Sequence, residues 1–180
     1  KYENPICINR NNPITKNLIK NGVDTIIHCA FNSNLDELDN LTKKSYDDNI
    51  KLTYLLTKIP HNEFIYISSV QIPPTFLSPY AIQKQISEYI VQDFSDNYCI
   101  LRVSSFLPQP KNMNTFYKIS KGKDVSLTKN SVNDVIYCED IYKAIKSNLK
   151  GILYLVSRKP ITIGDTAKLF NKNINYGSYH

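Results

Sequence analysis

No run in this 180-residue chain approaches 18 uncharged apolar residues, so no membrane-spanning helix is expected. The opening ten residues, KYENPICINR, hold no long apolar core behind a basic start, and no secretory leader is expected in them. Cysteine is scarce: Cys7, Cys29, Cys99 and Cys138 stand 22, 70 and 39 residues apart, which makes no CxxC pair and no zinc spacing. Three of them lie in apolar runs (PICI, TIIHCA, NYCILRV), where free Cys behaves as a small buried hydrophobe. His28, His61 and His180 are few and scattered, so no metal site is expected, and a reducing, cytoplasmic setting is the natural one. Charge of one sign is also in short supply. Against 22 Lys and Arg stand 16 Asp and Glu, a net +6, which suits a phosphate-bearing ligand and equally suits solvated lysines. The positive residues are interspersed with acids and form no basic stripe with stacking aromatics, so nucleic acid is not an expected partner.

What is present is enough for a core: 42% of the residues are apolar and 21% charged, a globular balance, and the length allows one domain carrying a small lobe. Short apolar runs rich in Ile, Val, Tyr and Cys occur at Pro5–Asn9, Asp24–Ala30, Glu63–Ser69 and Tyr98–Ser104. Their near-continuous apolar character predicts strands buried on both faces. Helical stretches are predicted between them, at Pro13–Asn21, Leu35–Lys58 and Ser78–Phe94. Leu52, Leu55, Leu56 and Ile59 are spaced along the second, and Ile82, Ile86, Tyr89 and Ile90 along one face of the third. That alternation predicts an α/β fold with a parallel sheet. After Ser104 the rhythm loosens at FLPQPKN. Helices near Asn114–Lys121, Glu139–Leu149 and Ile163–Phe170 and strands near Val125–Leu127, Asp134–Tyr137 and Ile152–Val156 are expected there. The division predicted is a nucleotide-binding core over 1–105 and a smaller substrate-side lobe over 106–180, with elements returning to the core.

Tyr80 and Lys84 form a YxxxK pair, whose members share one helix face a turn apart. Tyr54/Lys58, Tyr117/Lys121 and Tyr142/Lys146 match the same spacing, so context must choose among four. Only Tyr80 follows closely on a buried strand ending in a serine pair, Ser68–Ser69. Ligands of doubly wound sheets bind beyond the carboxyl ends of strands, and Pro79 is compatible with a helix start. Such a trio serves proton transfer: an unperturbed Tyr has a pKa of about 10, a nearby ammonium stabilises its phenolate, and a Ser hydroxyl can hold the substrate oxygen. A surface Tyr–Lys pair beside a strand end is the plain structural alternative.

On these residues the sequence resembles the extended short-chain dehydrogenase/reductases, the NAD-dependent epimerases and dehydratases of nucleotide sugars. GVDTIIHCA is similar to the family's strand closing in His-x-Ala, DDNIKLTYLL to its next helix, FIYISSV to the strand delivering the catalytic Ser/Thr, and SPYAIQK to SPYxxxK. ILRVSSFLPQP and VIYCEDIYKAI resemble two later segments, in the right order. The resemblance implies a Rossmann-like doubly wound parallel sheet with a small C-terminal α/β lobe. It implies that Tyr80 is the acid/base, that Ser69 orients the reacting oxygen, and that Lys84 lowers the Tyr pKa and binds the nicotinamide ribose. It places Asn9, Arg10, Cys29, Ala30, Asn49, Lys84 and Ser104 along the cofactor and Ser69 and Ser105 at the substrate. Arg102 and Asp140 would pair structurally. The implied cofactor is NAD or NADP, the partner a nucleoside-diphosphate sugar, and a homodimer packed through the Tyr80 helix is expected because relatives often pair there. The implied enzyme is an NAD(P)-dependent epimerase or ketoreductase, with a non-catalytic binding protein on the same fold as the alternative.

The sequence departs from the family in three places. None of Gly22, Gly122, Gly151, Gly164 and Gly177 forms GxxGxxG or GxGxxG, the turn that lets backbone approach a pyrophosphate, so the first strand and Gly-rich turn are expected to be missing. Only VQIPPTFLSP separates Ser69 from Tyr80, where relatives carry a longer loop. Asn9 and Arg10 stand where NAD enzymes tend to have an acid, and an Arg there favours the 2′-phosphate of NADP. Val70–Gln71 follow Ser69 where dehydratases of the family have Asp-Glu, which argues against dehydration.

Overall fold

A computed structural model of the chain describes residues 5–9, 13–73, 78–107 and 115–179. Two compact units divide it: Lys1–Arg102 with Ala144–Tyr154, and Val103–Lys143 with Leu155–His180.

The first unit opens with α1 (Lys16–Asn21), whose N-cap Thr15 accepts from the Leu18 amide. Gly22 turns the chain into β1 (Val23–His28) at φ +71°, and a Cβ there would meet the Pro60 carbonyl oxygen at 2.6 Å. The stretch predicted as one helix from Leu35 to Lys58 is instead broken into α2 (Leu35–Asp39), α3 (Lys43–Tyr46), a π-helical turn (Asp47–Lys51) and α4 (Leu52–Thr57). The cause is local: Leu41 takes a left-handed φ of +47°, and the Thr42 side chain caps a new helix by accepting from Ser45 N. Then follow β2 (His61–Ser69), α5 (Pro79–Phe94) and β3 (Tyr98–Val103).

In the second unit are β4 (Ser105–Leu107), α6 (Thr115–Ser120), β5 (Val125–Leu127), β6 (Val132–Asn133), β7 (Val135–Tyr137) and the start of α7 (Cys138–Lys146). After β8 (Gly151–Leu155) come β9 (Ile161–Thr162), α8 (Ile163–Leu169) and β10 (Tyr176–Tyr179). A four-stranded sheet has the order β1-β2-β3-β8. β1 runs parallel to β2, with Ile26 opposite Phe64 and His28 opposite Tyr66. β4 and β7, and β5 and β10, form parallel pairs, while β6 and β9 are antiparallel.

Ile26, Leu56, Ile59, Phe64, Tyr66, Val91 and Ile100 form the core of the first unit. Ile119, Val125, Ile163, Ala167 and Ile174 form that of the second. Two expectations about burial fail. Pro5–Asn9 is not a buried strand: Asn9 makes an isolated bridge, Ile6 is 63% exposed and Cys7 is exposed. β1, at one end of the order of its sheet, buries only Ile26 and His28, so it is covered on one face rather than two. Of the four cysteines, only Cys99 is buried.

Candidate active site

α5 is the element that gathers the candidate site. Its buried residues are Ala81, Gln83, Lys84, Ser87, Glu88 and Val91, a stripe at helical spacing that is mostly polar. The apolar face marked out by Ile82, Ile86, Tyr89 and Ile90 is turned the other way, and Tyr89 is 56% exposed. The reason lies on β2, which offers this helix hydrogen-bonding partners as well as hydrophobic ones.

Ser69 ends β2 and is buried; its Oγ accepts from the Gln71 amide at 3.2 Å, in a tight local turn. Tyr80, second residue of α5, stands beside Ser69, whose side chain acts on its phenol. Lys84 lies one turn further along, its Nζ donating to the Ile67 carbonyl at 2.7 Å. Ser69, Tyr80 and Lys84 are thus brought together where β2 ends.

The electrostatics differ from the implied pattern. Burial pushes the Tyr80 phenol above its ordinary pKa, and the neighbouring Ser69 side chain pulls it only part of the way back. Lys84 is the group that moves down, to about 8, because burial outweighs the favourable charges of Cys29 and Glu88. Its ammonium sits 4.4 Å from the centre of the Phe31 ring and 4.8 Å from that of Tyr66. The Phe31 ring also meets Tyr80 edge-on, centroids 5.1 Å apart.

The segment after β1 carries the next expected residues. Cys29 and Ala30 are exposed there. Asn49, from the π-helical turn, is fully buried and spends its amide within the protein. Its Oδ1 accepts from Asn32 N at 2.6 Å, and its Nδ2 donates to Asn32 O at 3.1 Å and to Gln83 Oε1 at 2.8 Å. Asn49 therefore fastens the loop beside Cys29 and Ala30 to α5. His28, at the end of β1, is held neutral by burial with a pKa of about 3, and its Nε2 meets Thr53 Oγ1 at 2.9 Å.

Ser104 and Ser105 belong to the second unit. Ser104 is buried, with its amide on the Leu155 carbonyl, and Ser105 begins β4 opposite Val135. Asn9 is exposed, and its side-chain amide lies 3.8 Å from the Cys7 sulfur. Arg10 lies outside the described residues. The Arg102 guanidinium grips Glu88, and Asp140 accepts from the Tyr137 amide and pairs with Lys143. Sequence reasoning missed Glu88, Gln83 and Phe31. Glu88 was findable, since Tyr80, Lys84 and Glu88 recur every fourth residue; nothing in the sequence marks Phe31. A shallow depression of about 400 Å³, lined by Lys58, His61 and Phe94 among others, lies at the opposite end of β2 and touches none of the trio.

This sheet-and-helix frame, with a Ser, a Tyr and a Lys converging where β2 ends, has relatives. The chain belongs to the NAD dependent epimerase/dehydratase family, which matches residues 6–151. Among solved structures, UDP-glucuronic acid 4-epimerase from Bacillus cereus, bound to UDP-glucuronic acid and NAD, superposes with a TM-score of 0.72 at 19% identity. It covers 91% of this chain and 65% of its own. dTDP-4-dehydrorhamnose reductase from Bacillus anthracis, with NADP, gives 0.68 at 18% identity over 94% of this chain and 76% of its own. WbmG from Bordetella bronchiseptica, with NAD, gives 0.66 at 11% identity over 81% of this chain and 54% of its own. At such identities the likeness establishes the fold, a Rossmann-like α/β arrangement, and the chain spans about two thirds of the length of the epimerase. The comparison with curated proteins yields no match.

Proposed function

We propose that this chain carries the cofactor-side and proton-transfer machinery of an NAD(P)-dependent nucleotide-sugar epimerase or ketoreductase. The observation that carries the reading is the convergence of Ser69, Tyr80 and Lys84 at the end of β2. The residues suit a nicotinamide nucleotide. An ammonium has three N–H donors and Lys84 gives one to Ile67, leaving others for ribose hydroxyls, while Cys29 and Ala30 are exposed beside it. Once bound, the nicotinamide supplies hydride removal or return. The chain's own part is the proton. Ser69 Oγ holds the reacting oxygen beside the Tyr80 hydroxyl, which takes or gives the proton there, and the Lys84 charge favours the phenolate as it forms. Asn49 keeps the Cys29–Asn32 segment in place through Asn32.

A nucleoside-diphosphate sugar as substrate is supported by how charge is distributed. Ten of the 22 basic residues but only five of the 16 acidic ones fall in the second unit, so +5 of the net +6 resides there. A diphosphate is the kind of ligand such a field attracts. Arg10 supports the 2′-phosphate of NADP, and parallel titrations with NAD(H) and NADP(H) test it. Four scattered cysteines without CxxC spacing support a reducing, cytoplasmic setting. No helix among the described residues is long and apolar enough to cross a membrane. The exposed apolar side of α5, with Ile86, Tyr89 and Phe94, supports a homodimer, and sedimentation as a monomer at micromolar concentration would overturn that part.

The deciding experiment is calorimetric titration with both cofactors, followed by assay of nucleoside-diphosphate sugars with wild-type protein and Tyr80→Phe. Cofactor binding kept and turnover lost in the variant is the expected result. Equal behaviour of the two proteins would leave a non-catalytic member of the family.

A further inference from the structure

Phe31 follows the exposed Cys29–Ala30 pair and precedes Asn32, whose backbone N–H and C=O are both bound by the Asn49 side chain. The Asn32 side-chain amide donates to Glu37 at 2.6 Å and to Asp48 at 2.9 Å. A residue next to so many anchors has little freedom to place its ring elsewhere. That ring is only half-buried, so filling a core does not account for where it lies. It lies against Tyr80, the two planes 74° apart, and under the Lys84 ammonium at 4.4 Å.

The ammonium needs such a neighbour. Both oxygens of Glu88 are engaged by Arg102, and one of them also by Ser68. None of the ion pairs among the described residues involves Lys84. A buried cation served by one carbonyl is balanced by the negative faces of aromatic rings, here Phe31 on one side and Tyr66 on another. Tyr66 is fixed in β2, opposite His28, whereas Phe31 reaches the pair from a loop.

We propose that Phe31 is a positioning residue for the Tyr80–Lys84 pair, its ring wedged against both so that the Lys84 ammonium stays on the Ile67 carbonyl. The inference deepens the reading of Ser69, Tyr80 and Lys84 as a catalytic trio and rests on it for its functional meaning. The titratable groups facing Lys84 are His28 and Cys29 at the end of β1, Tyr66 on β2, and Tyr80 and Glu88 on its own helix.

The test reads Lys84 directly. Protein with 13C at lysine Cε is titrated by NMR, the Lys84 signal being assigned by its loss in Lys84→Met. Replacing Phe31 with mono-, di- and pentafluorophenylalanine keeps its shape while weakening the negative ring face. The expected result is a stepwise fall of the Lys84 midpoint, about half to one pH unit for the fully fluorinated ring. Phe31→Leu should fall likewise, and Phe31→Tyr should stay at the wild-type value. A midpoint that is unchanged or rises across the fluorine series overturns the proposal. Because no turnover is measured, this outcome is independent of whether the protein proves to be an epimerase or a reductase.

Discussion

Arg102 closes its guanidinium on Glu88 in a two-pronged bond, Nε to Oε1 at 3.1 Å and Nη2 to Oε2 at 2.7 Å, directly behind Ser68. Glu88 is 1% exposed, so its charge depends on that grip. Through Nη1 the same arginine donates to the Tyr154 hydroxyl, which in turn donates to the Ile72 carbonyl at 3.2 Å. One side chain thereby connects α5, β8 and the chain just after Ser69.

Arg102→Met should accordingly cost about 3–5 kcal/mol, because it strands a buried carboxylate. Adding Glu88→Leu should restore a large part of that loss, since replacing both partners removes the uncompensated charge. Denaturant unfolding of the two single variants and the double variant measures it, and a double variant no more stable than Arg102→Met would refute the account.

His28 gives the protein an acid-sensitive point. Its folded pKa, about 3, lies below the ordinary 6.5, so below about pH 6.5 the unfolded chain binds a proton that the folded chain refuses. Stability from this group is complete above pH 6.5 and is lost by about 1.4 kcal/mol per pH unit as the pH falls toward 3. In His28→Gln, which keeps a partner for Thr53, chemical unfolding between pH 6.5 and 4 should show a shallower decline than wild type.

Lys84 acts at the alkaline end. Its folded pKa of about 8 is below that of an ordinary lysine, about 10.4. Between these values the unfolded chain holds the proton and the folded chain has released it, so stability should rise with pH across that window. The difference in unfolding free energy between wild type and Lys84→Met should change over pH 8–10.5 and level off on either side. A flat difference would show that burial does not govern this lysine.

On the proton-transfer role proposed for Tyr80, turnover should fall about 10²–10⁴-fold in Tyr80→Phe, the range expected on removing an acid/base group, with cofactor affinity little altered. Ser69→Ala should fall less, because it loses orientation of the oxygen but keeps the proton carrier. Steady-state kinetics alongside calorimetric cofactor binding separates the two effects.

Much of this was legible in the sequence where β-branched and aromatic residues run together. The runs at Asp24–Ala30, Glu63–Ser69 and Tyr98–Ser104 are β1, β2 and β3, and Ser69 lies at the end of the second of them as its sequence predicts. Pro5–Asn9 misled because a short apolar run carries no sign of whether a partner will cover it. The inner face of α5 misled for a deeper reason. Its hydrophobic side points outward because the inward side carries Gln83, Lys84, Ser87 and Glu88, so hydrogen-bonding demands at the site outweigh the hydrophobic pattern. β4, β6 and β9, three residues or fewer each, are too short to show any period.

The π-helical turn at Asp47–Lys51 acts as a phase adjuster. It accommodates one residue more than ordinary α-winding would, and it carries Asn49, with Thr53 on α4 one turn further on. Deleting a single residue from it would let the segment rewind as α-helix and rotate everything before it by about 100° relative to α4. Asn49 and Thr53 could then no longer both face α5. Tolerance to length change is therefore low in a stretch of exposed or half-buried charges around one buried Asn, where composition alone would suggest freedom to vary.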